Sequence, residues 1–184
     1  MAWDRASHRS FRLSAMRLFL LAFVVYLSLH ENATAQGIGC VVQTAASQRQ
    51  ILRCRDGLTI EAEAGAAFNL VDQNRDAQPD AINLQSRAIF IDAPARSAGQ
   101  GFQIMTPQAI AAVRGTQWAV DVSGSRTSVF VVNGRVSVRR VQGNTRSVSL
   151  SPGEGVDVES GTSPLIVRRW PEARAAALLA RLGR

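Results

Sequence analysis

Between Gly39 and about Val167 the chain alternates apolar and polar residues with a period of two, and this pattern restricts the fold more than any other feature. Successive side chains of a strand point to opposite faces, whereas a helix repeats every 3.6 residues. Residues 58–62, 88–91, 102–105, 117–122, 127–132, 135–139 and 147–150 carry the alternation, are rich in Val, Ile, Phe and Thr, and are punctuated by Gly and Asn. The pattern predicts an all-β domain, a two-layer antiparallel β-sandwich or flattened β-roll. Asn133-Gly134, between two such runs, predicts a hairpin through a type I′ turn, which needs positive φ at both positions. Ser123-Gly124-Ser125 and Gly143-Asn144 read as further turns, and residues 151–155 as a loop opening a strand at 156–158. The C-terminus departs from the pattern. Pro171 suits a first helical position, Glu172 suits the positive helix end, and Leu178, Leu179 and Leu182 share a face of the Ala/Leu-rich segment that follows. A short C-terminal α-helix is expected, docked as a cap on the β domain.

The first 35 residues have another character. Arg5, Arg9, Arg12 and Arg17 precede an apolar run at residues 18–29, followed by Ala33-Thr34-Ala35. Basic region, short apolar core and A-x-A site in this order predict a secretory signal peptide cleaved before Gln36, with Met16 as an alternative start. A run of 12 residues is shorter than the ~20 a membrane-spanning helix needs. Retention of the segment would anchor the protein in the inner membrane; cleavage leaves it periplasmic or secreted, with no integral span.

The remaining 149 residues contain no His, Lys or Tyr. Catalysis through a Ser–His–Asp triad, a Cys–His pair or a Ser–Lys dyad is therefore excluded, as are a lysine-based P-loop, a pyridoxal Schiff base and a histidine zinc site. Carboxylates alone remain for acid–base work, and six aromatic residues are thin lining for a sugar cleft. The expectation is a protein that is not an enzyme. Every one of the 21 basic residues is Arg, but in the mature chain they are scattered, which argues against nucleic acid as a partner.

Cys40 and Cys54, 14 positions apart in an exported chain, predict one disulfide pinning the ends of a hairpin. In the segment 72–80, Asp72, Asn74, Asp76 and Asp80 stand at positions 1, 3, 5 and 9, the spacing of calcium loops of the D-x-N-x-D-G kind. Ala77 replaces the Gly of that pattern and Asn83 replaces the Glu at position 12. Calcium is the one candidate cofactor, and a polar turn is the alternative.

Thr106-Pro107-Gln108, the run Val113-Arg114-Gly115-Thr116, Trp118-Ala119-Val120-Asp121-Val122, and the Val131-Val132-Asn133-Gly134-Arg135-Val136 stretch form a longer phrase within residues 81–158. This phrase resembles the FecR-type periplasmic domain family. Gly115 lets a strand start tightly after Arg114, and Trp118, Val120 and Val122 fall on one core-facing side. Arg114 is expected to pair with a carboxylate such as Asp121. The resemblance implies an all-β module that senses or relays a signal, known best from iron-citrate uptake, where a cytoplasmic anti-sigma segment and one membrane span precede it. At most 17 residues precede the apolar run here, so a stand-alone exported domain without that segment is expected.

The expected organisation is a signal peptide at 1–35, a disulfide-pinned β segment at 36–80, a FecR-like β domain at 81–168 and the helix at 169–184. The expected function is a non-enzymatic binding, signal-sensing or interaction module of the bacterial envelope. Its partner would be another envelope protein met through strand edges or Arg-rich loops. The alternative is a calcium-stabilised structural or adhesion-like envelope module.

Overall fold

A computed structural model describes residues 38–45, 47–95, 101–143 and 146–184. The expected signal segment and Asn144 of the expected Gly143-Asn144 turn lie outside the described residues. Among these described residues thirteen strands and one helix follow in order: β1 (Cys40–Thr44), β2 (Gln50–Cys54), β3 (Thr59–Ala62), β4 (Ala67–Val71), β5 (Ala81–Ala93), β6 (Phe102–Met105), β7 (Ala109–Val113), β8 (Thr116–Ser123), β9 (Arg126–Asn133), β10 (Val136–Arg140), β11 (Val148–Leu150), β12 (Glu154–Glu159), β13 (Arg168–Arg169) and α1 (Glu172–Arg181). The fold is all-β with a short C-terminal helix, as the period-two pattern predicts.

The strands form one curled sheet that faces itself. Its first half, sheet A, has the order β1-β2-β3-β5-β8-β9-β12-β13, and its second, sheet B, the order β4-β5-β6-β7-β10-β11. Strand β5 belongs to both. Its first residues pair with β4 and β6, and its last with β3 and β8. The switch has a local cause. Ser86 pairs with Ala67 and Leu84 with Phe68, so Gln85 is an extra residue, and Arg87 adopts the left-handed conformation at φ +66°. The buried inward positions accordingly change from even numbers (Ile82, Leu84) to odd ones (Ile89, Ile91) across the bulge. One pair, β5–β6, is parallel, so the sheet is mixed where the sequence predicts an antiparallel one.

The expected Asn133-Gly134 hairpin does not form. β9 pairs with β8 and β12, whereas β10 pairs with β7 and β11. Only Gly134 has positive φ (+87°), so the I′ geometry is absent and the chain passes from sheet A to sheet B. Gly115 (φ +61°) makes the reverse crossing from β7 to β8. The two corners touch. A β-carbon on Gly134 would lie 2.7 Å from the Gly115 carbonyl and 2.9 Å from Thr116 Oγ1, and Thr116 Oγ1 donates at 3.2 Å to the Arg135 carbonyl. Residues singled out in sequence as Gly115, Thr116 and Gly134 therefore build one structural corner. By contrast, β8 and β9 do form a hairpin across Gly124 (φ +58°).

The main core lies between the half-sheets and includes Trp118, Val120, Ile89, Ile91, Ile104, Val138 and Leu150. A second cluster lies on the outer face of sheet A, where Ala88, Phe90, Ala119 and Phe130 receive Trp170, Leu178 and Leu182. The small Ala88 and Ala119 let the helix approach the strands. Pro171 stands one position earlier than predicted, at the N-cap with ψ 141°. Gly155 makes room for Trp170, whose Nε1 would lie 2.3 Å from a β-carbon there. Among the described residues no helix is long and apolar enough to cross a membrane.

Candidate protein-interaction face

The two outer faces of the curled sheet differ in their chemistry. On sheet A the arginines around α1 are matched to acids. Arg181 donates to both Glu63 oxygens (3.1 and 2.6 Å) and both Asp121 oxygens (2.9 and 3.0 Å). Arg174 donates to Asp157 at 2.6 and 3.0 Å and its guanidinium lies 3.6 Å from the Trp170 ring centre. Arg184 bonds Glu61 at 2.8 Å, and Arg49 donates to the Leu182 carbonyl at the negative end of the helix. Asp121 is thus the partner of Arg181, and the expected Arg114–Asp121 pair does not exist. Asp121 faces outward from β8 toward α1, a proximity that strand spacing alone does not reveal.

Burial pushes the Glu63 carboxyl up, yet hydrogen bonds from Arg181 and the Ala88 N–H, with the charges of Arg181 and Arg87, hold it below its ordinary value. Asp157 is likewise raised by burial and lowered further by Arg174, Ser128 and Arg126. Arg181 is pushed up by its bonds to Asp121 and Glu63, against a smaller opposing effect of burial. Carboxyls whose folded values are depressed give stability that is present above their unfolded values near 4 and lost as pH falls through the folded ones. The expected result is a urea midpoint that falls with decreasing pH below about 4, with a shallower slope in Arg181→Ala. An unchanged slope in that variant would separate the helix anchor from the acid response.

The outer face of sheet B has no such cover among the described residues. Gln103, Ser137, Arg139 and Ser149 are exposed there, with Met105, Ile110 and Ala112 half-buried beside them. A groove of about 390 Å³ crosses this face, floored by Ala112, Val113, Ser137 and Ser149 and flanked by Arg114 and Arg135. Both arginines are exposed; their backbone carbonyls accept from Thr116 Oγ1, but neither guanidinium has a hydrogen bond, ion pair or ring contact among the described residues. The corner at Gly115 and Gly134 places them side by side. Small floor residues and two guanidinium forks without partners among the described residues suit an extended chain carrying carboxylates.

The other sequence-predicted sites are distributed elsewhere. Trp118 is fully buried in the core. Thr106 Oγ1 binds the Ala109 backbone and Thr127 Oγ1 (2.8 Å), holding the β6–β7 turn that contains Pro107. Cys40 and Cys54 are opposite each other on β1 and β2 and form the disulfide. In the 72–80 loop, Asp72 accepts from the backbone N–H groups of Arg75, Asp76 and Ala77, Asp76 from Gln78, and Asp80 from Gln73 and Asn74. Asn74 accepts from the Asp76 N–H and donates to its carboxylate. Among the described residues no group of three or more His, Cys, Asp and Glu side chains is arranged to hold a metal.

A family model for FecR protein matches residues 41–137, which include the disulfide hairpin from the residue after Cys40, the bulged β5 and the corner between the sheets. This chain belongs to the FecR family. The match begins well before the resemblance at 81–158 seen in sequence, because the N-terminal hairpin continues sheet A through β3 and β5. A crystal structure of a proposed anti-sigma factor from Parabacteroides distasonis is similar at 19% identity and a TM-score of 0.54, covering 78% of this chain. A second crystal structure of that description, from the same organism, has 17% identity and a TM-score of 0.47. The FecR chain described here spans 62% of the length of each. No curated protein matches it.

Proposed function

We propose that this FecR-family chain is an exported, non-enzymatic, signal-sensing module of the bacterial envelope that acts by binding an extended acidic segment of a partner protein across the outer face of sheet B. One observation carries the reading: the outer face of sheet A is closed by a helix whose arginines are matched to acids, whereas sheet B presents a groove flanked by Arg114 and Arg135, whose guanidinium groups have no partner among the described residues. Charge complementarity selects the occupant, since carboxylates spaced along a strand reach both guanidinium forks from one side of the peptide. The disulfide supports export, because such bridges persist in oxidising compartments, and N-terminal sequencing should find the mature protein starting at Gln36.

A ten-residue peptide alternating Glu and Val, labelled for fluorescence anisotropy, tests the interface. Binding to the native protein is expected, and the Arg114→Glu/Arg135→Glu pair should weaken it by at least about tenfold at low salt. Arg168→Glu, on the edge strand β13 of the other half-sheet, should leave it unchanged. Equal loss in both variants would reduce the effect to net charge and remove the groove from the reading.

A second reading, the calcium-stabilised module, is favoured by Ala77, which holds φ +63° at the position where loops of this spacing place Gly. On that reading calcium raises the melting midpoint above that in chelator, and Asp76→Ala abolishes the difference. Identical midpoints for the native protein would leave the loop a turn held by its own backbone bonds.

A further inference from the structure

At the end of the sandwich opposite the Gly115–Gly134 corner, Arg140 closes β10 with its side chain directed inward. It is 7% exposed. Its Nε and Nη2 donate to the Ser163 carbonyl at 3.1 and 2.9 Å, and Nη1 donates to the Glu159 carbonyl. All three bonds end on neutral acceptors, and no ion pair reaches Arg140 among the described residues. A guanidinium carries five N–H groups, so one on Nη1 and one on Nη2 remain. A buried cation answered only by carbonyls lacks the counter-charge that such groups ordinarily have.

Beside it lies a cavity of about 110 Å³ whose lining includes Gln108, Arg140, Gln142, Glu159 and Ser160. At ~30 Å³ per water that is room for three or four heavy atoms. Gln108 is oriented by a chain of buried hydroxyls. Thr127 Oγ1 donates to Gln108 Oε1 at 2.8 Å and lies 2.8 Å from Thr106 Oγ1, which is fixed in turn by the Ala109 backbone. With its oxygen engaged, the Gln108 amide is left with N–H donors. The lining thus combines a cation, amide donors and the Ser160 hydroxyl with one acid, Glu159, whose side chain is exposed.

We propose that this cavity binds a small carboxylate, with Arg140 as counter-charge and Gln108 as a second donor. A planar carboxylate of acetate size matches both the volume and the two remaining N–H groups. A tetrahedral oxyanion is bulkier and matches the fork less well. This site is independent of the sheet B groove, and its ligand would be a free metabolite acid or a chain-terminal carboxylate small enough to enter.

Calorimetric titration of the whole protein with sodium acetate, at ionic strength held constant with chloride, tests the site. Saturable binding is expected with Kd between about 0.1 and 10 mM, within the ceiling for a ligand of four heavy atoms. Sulfate should not compete. Arg140→Gln should abolish binding, and Gln108→Ala should weaken it about threefold or more. Glu159→Gln should tighten it severalfold by removing the nearby negative charge. Absence of saturable binding to the native protein, or equal binding by Arg140→Gln, would overturn the proposal. Should Arg140→Gln fail to fold, unchanged affinity in both Gln108→Ala and Glu159→Gln would overturn it instead. Binding that appears only in Glu159→Gln would identify the Glu159 carboxylate as the occupant and likewise overturn it. A parallel titration with a short peptide ending in Gly distinguishes a chain terminus from a free acid.

Discussion

Trp118→Ala is expected to lower the unfolding free energy by about 3–5 kcal/mol, a loss that a urea titration of the native protein and variant would read directly. Trp118 is fully buried, paired on β8 between Ile91 of β5 and Val131 of β9, at the centre of the main core. Truncation removes the indole transfer energy and leaves a cavity that three paired strands cannot collapse to fill. The indole N–H has no hydrogen-bond partner among the described residues. A buried donor without an acceptor costs about 1–3 kcal/mol, so Trp118→Phe loses packing volume and regains part of that cost. Its expected stability lies within about 1 kcal/mol of the native protein, well above that of the Ala variant. Equal losses in the two variants would show that indole volume, with no penalty from the N–H, accounts for the residue.

Removing the Cys40–Cys54 bridge, by paired Ser substitution, is expected to cost about 3 kcal/mol on the chain-closure argument for a loop of this size. For a domain of this length that is a fall of roughly 6–12 °C in the melting midpoint. The effect should exceed that of an ordinary surface hairpin, since β1 and β2 form one end of sheet A and reach the core through β3 and β5. Cys40 and Cys54 are themselves buried with Leu52 and Ile60. A change below about 1 kcal/mol would mean that strand pairing alone holds the hairpin closed.

Much of the fold was legible because its cause is local. Period-two alternation placed strands at β3, β6, β8, β9 and β10, and paired cysteines in an otherwise thiol-free chain predicted their bridge. Leu178, Leu179 and Leu182 marked the helix and its docking face; in the structure Leu178 and Leu182 are buried on sheet A and Leu179 packs beside them. The receiving face was less visible. Ala88-Ile89-Phe90-Ile91 reads as alternating if Ala is counted as neutral, yet all four residues are buried, Ile89 and Ile91 toward sheet B and Ala88 and Phe90 toward the helix. A continuous apolar run is the signal of a strand covered on both sides, and it was present in β5 and in the middle of β9.

The candidate sites were legible only in part. Arg114, Gly115, Thr116 and Gly134 stood out as a phrase, but Arg135 gained its role beside Arg114 only when two corners met. Arg140 and Gln108, 32 positions apart in the chain, carried no shared motif and came together because β7 pairs with β10.

From the order of residues alone follow an all-β domain, a disulfide, a terminal helix and the absence of His, Lys and Tyr after residue 35. These depend on side-chain period, pairing chemistry and composition, all of which act within a few residues or require none. Tertiary structure decided that Asn133-Gly134 crosses between sheets instead of closing a hairpin, that Asp121 pairs with Arg181 instead of Arg114, and that the helix covers one face while no described residue covers the other. The physical reason is shared. A strand's neighbours and a charge's partner are set by which distant segments can bury apolar area together, and adjacency in sequence is a weak guide to that choice.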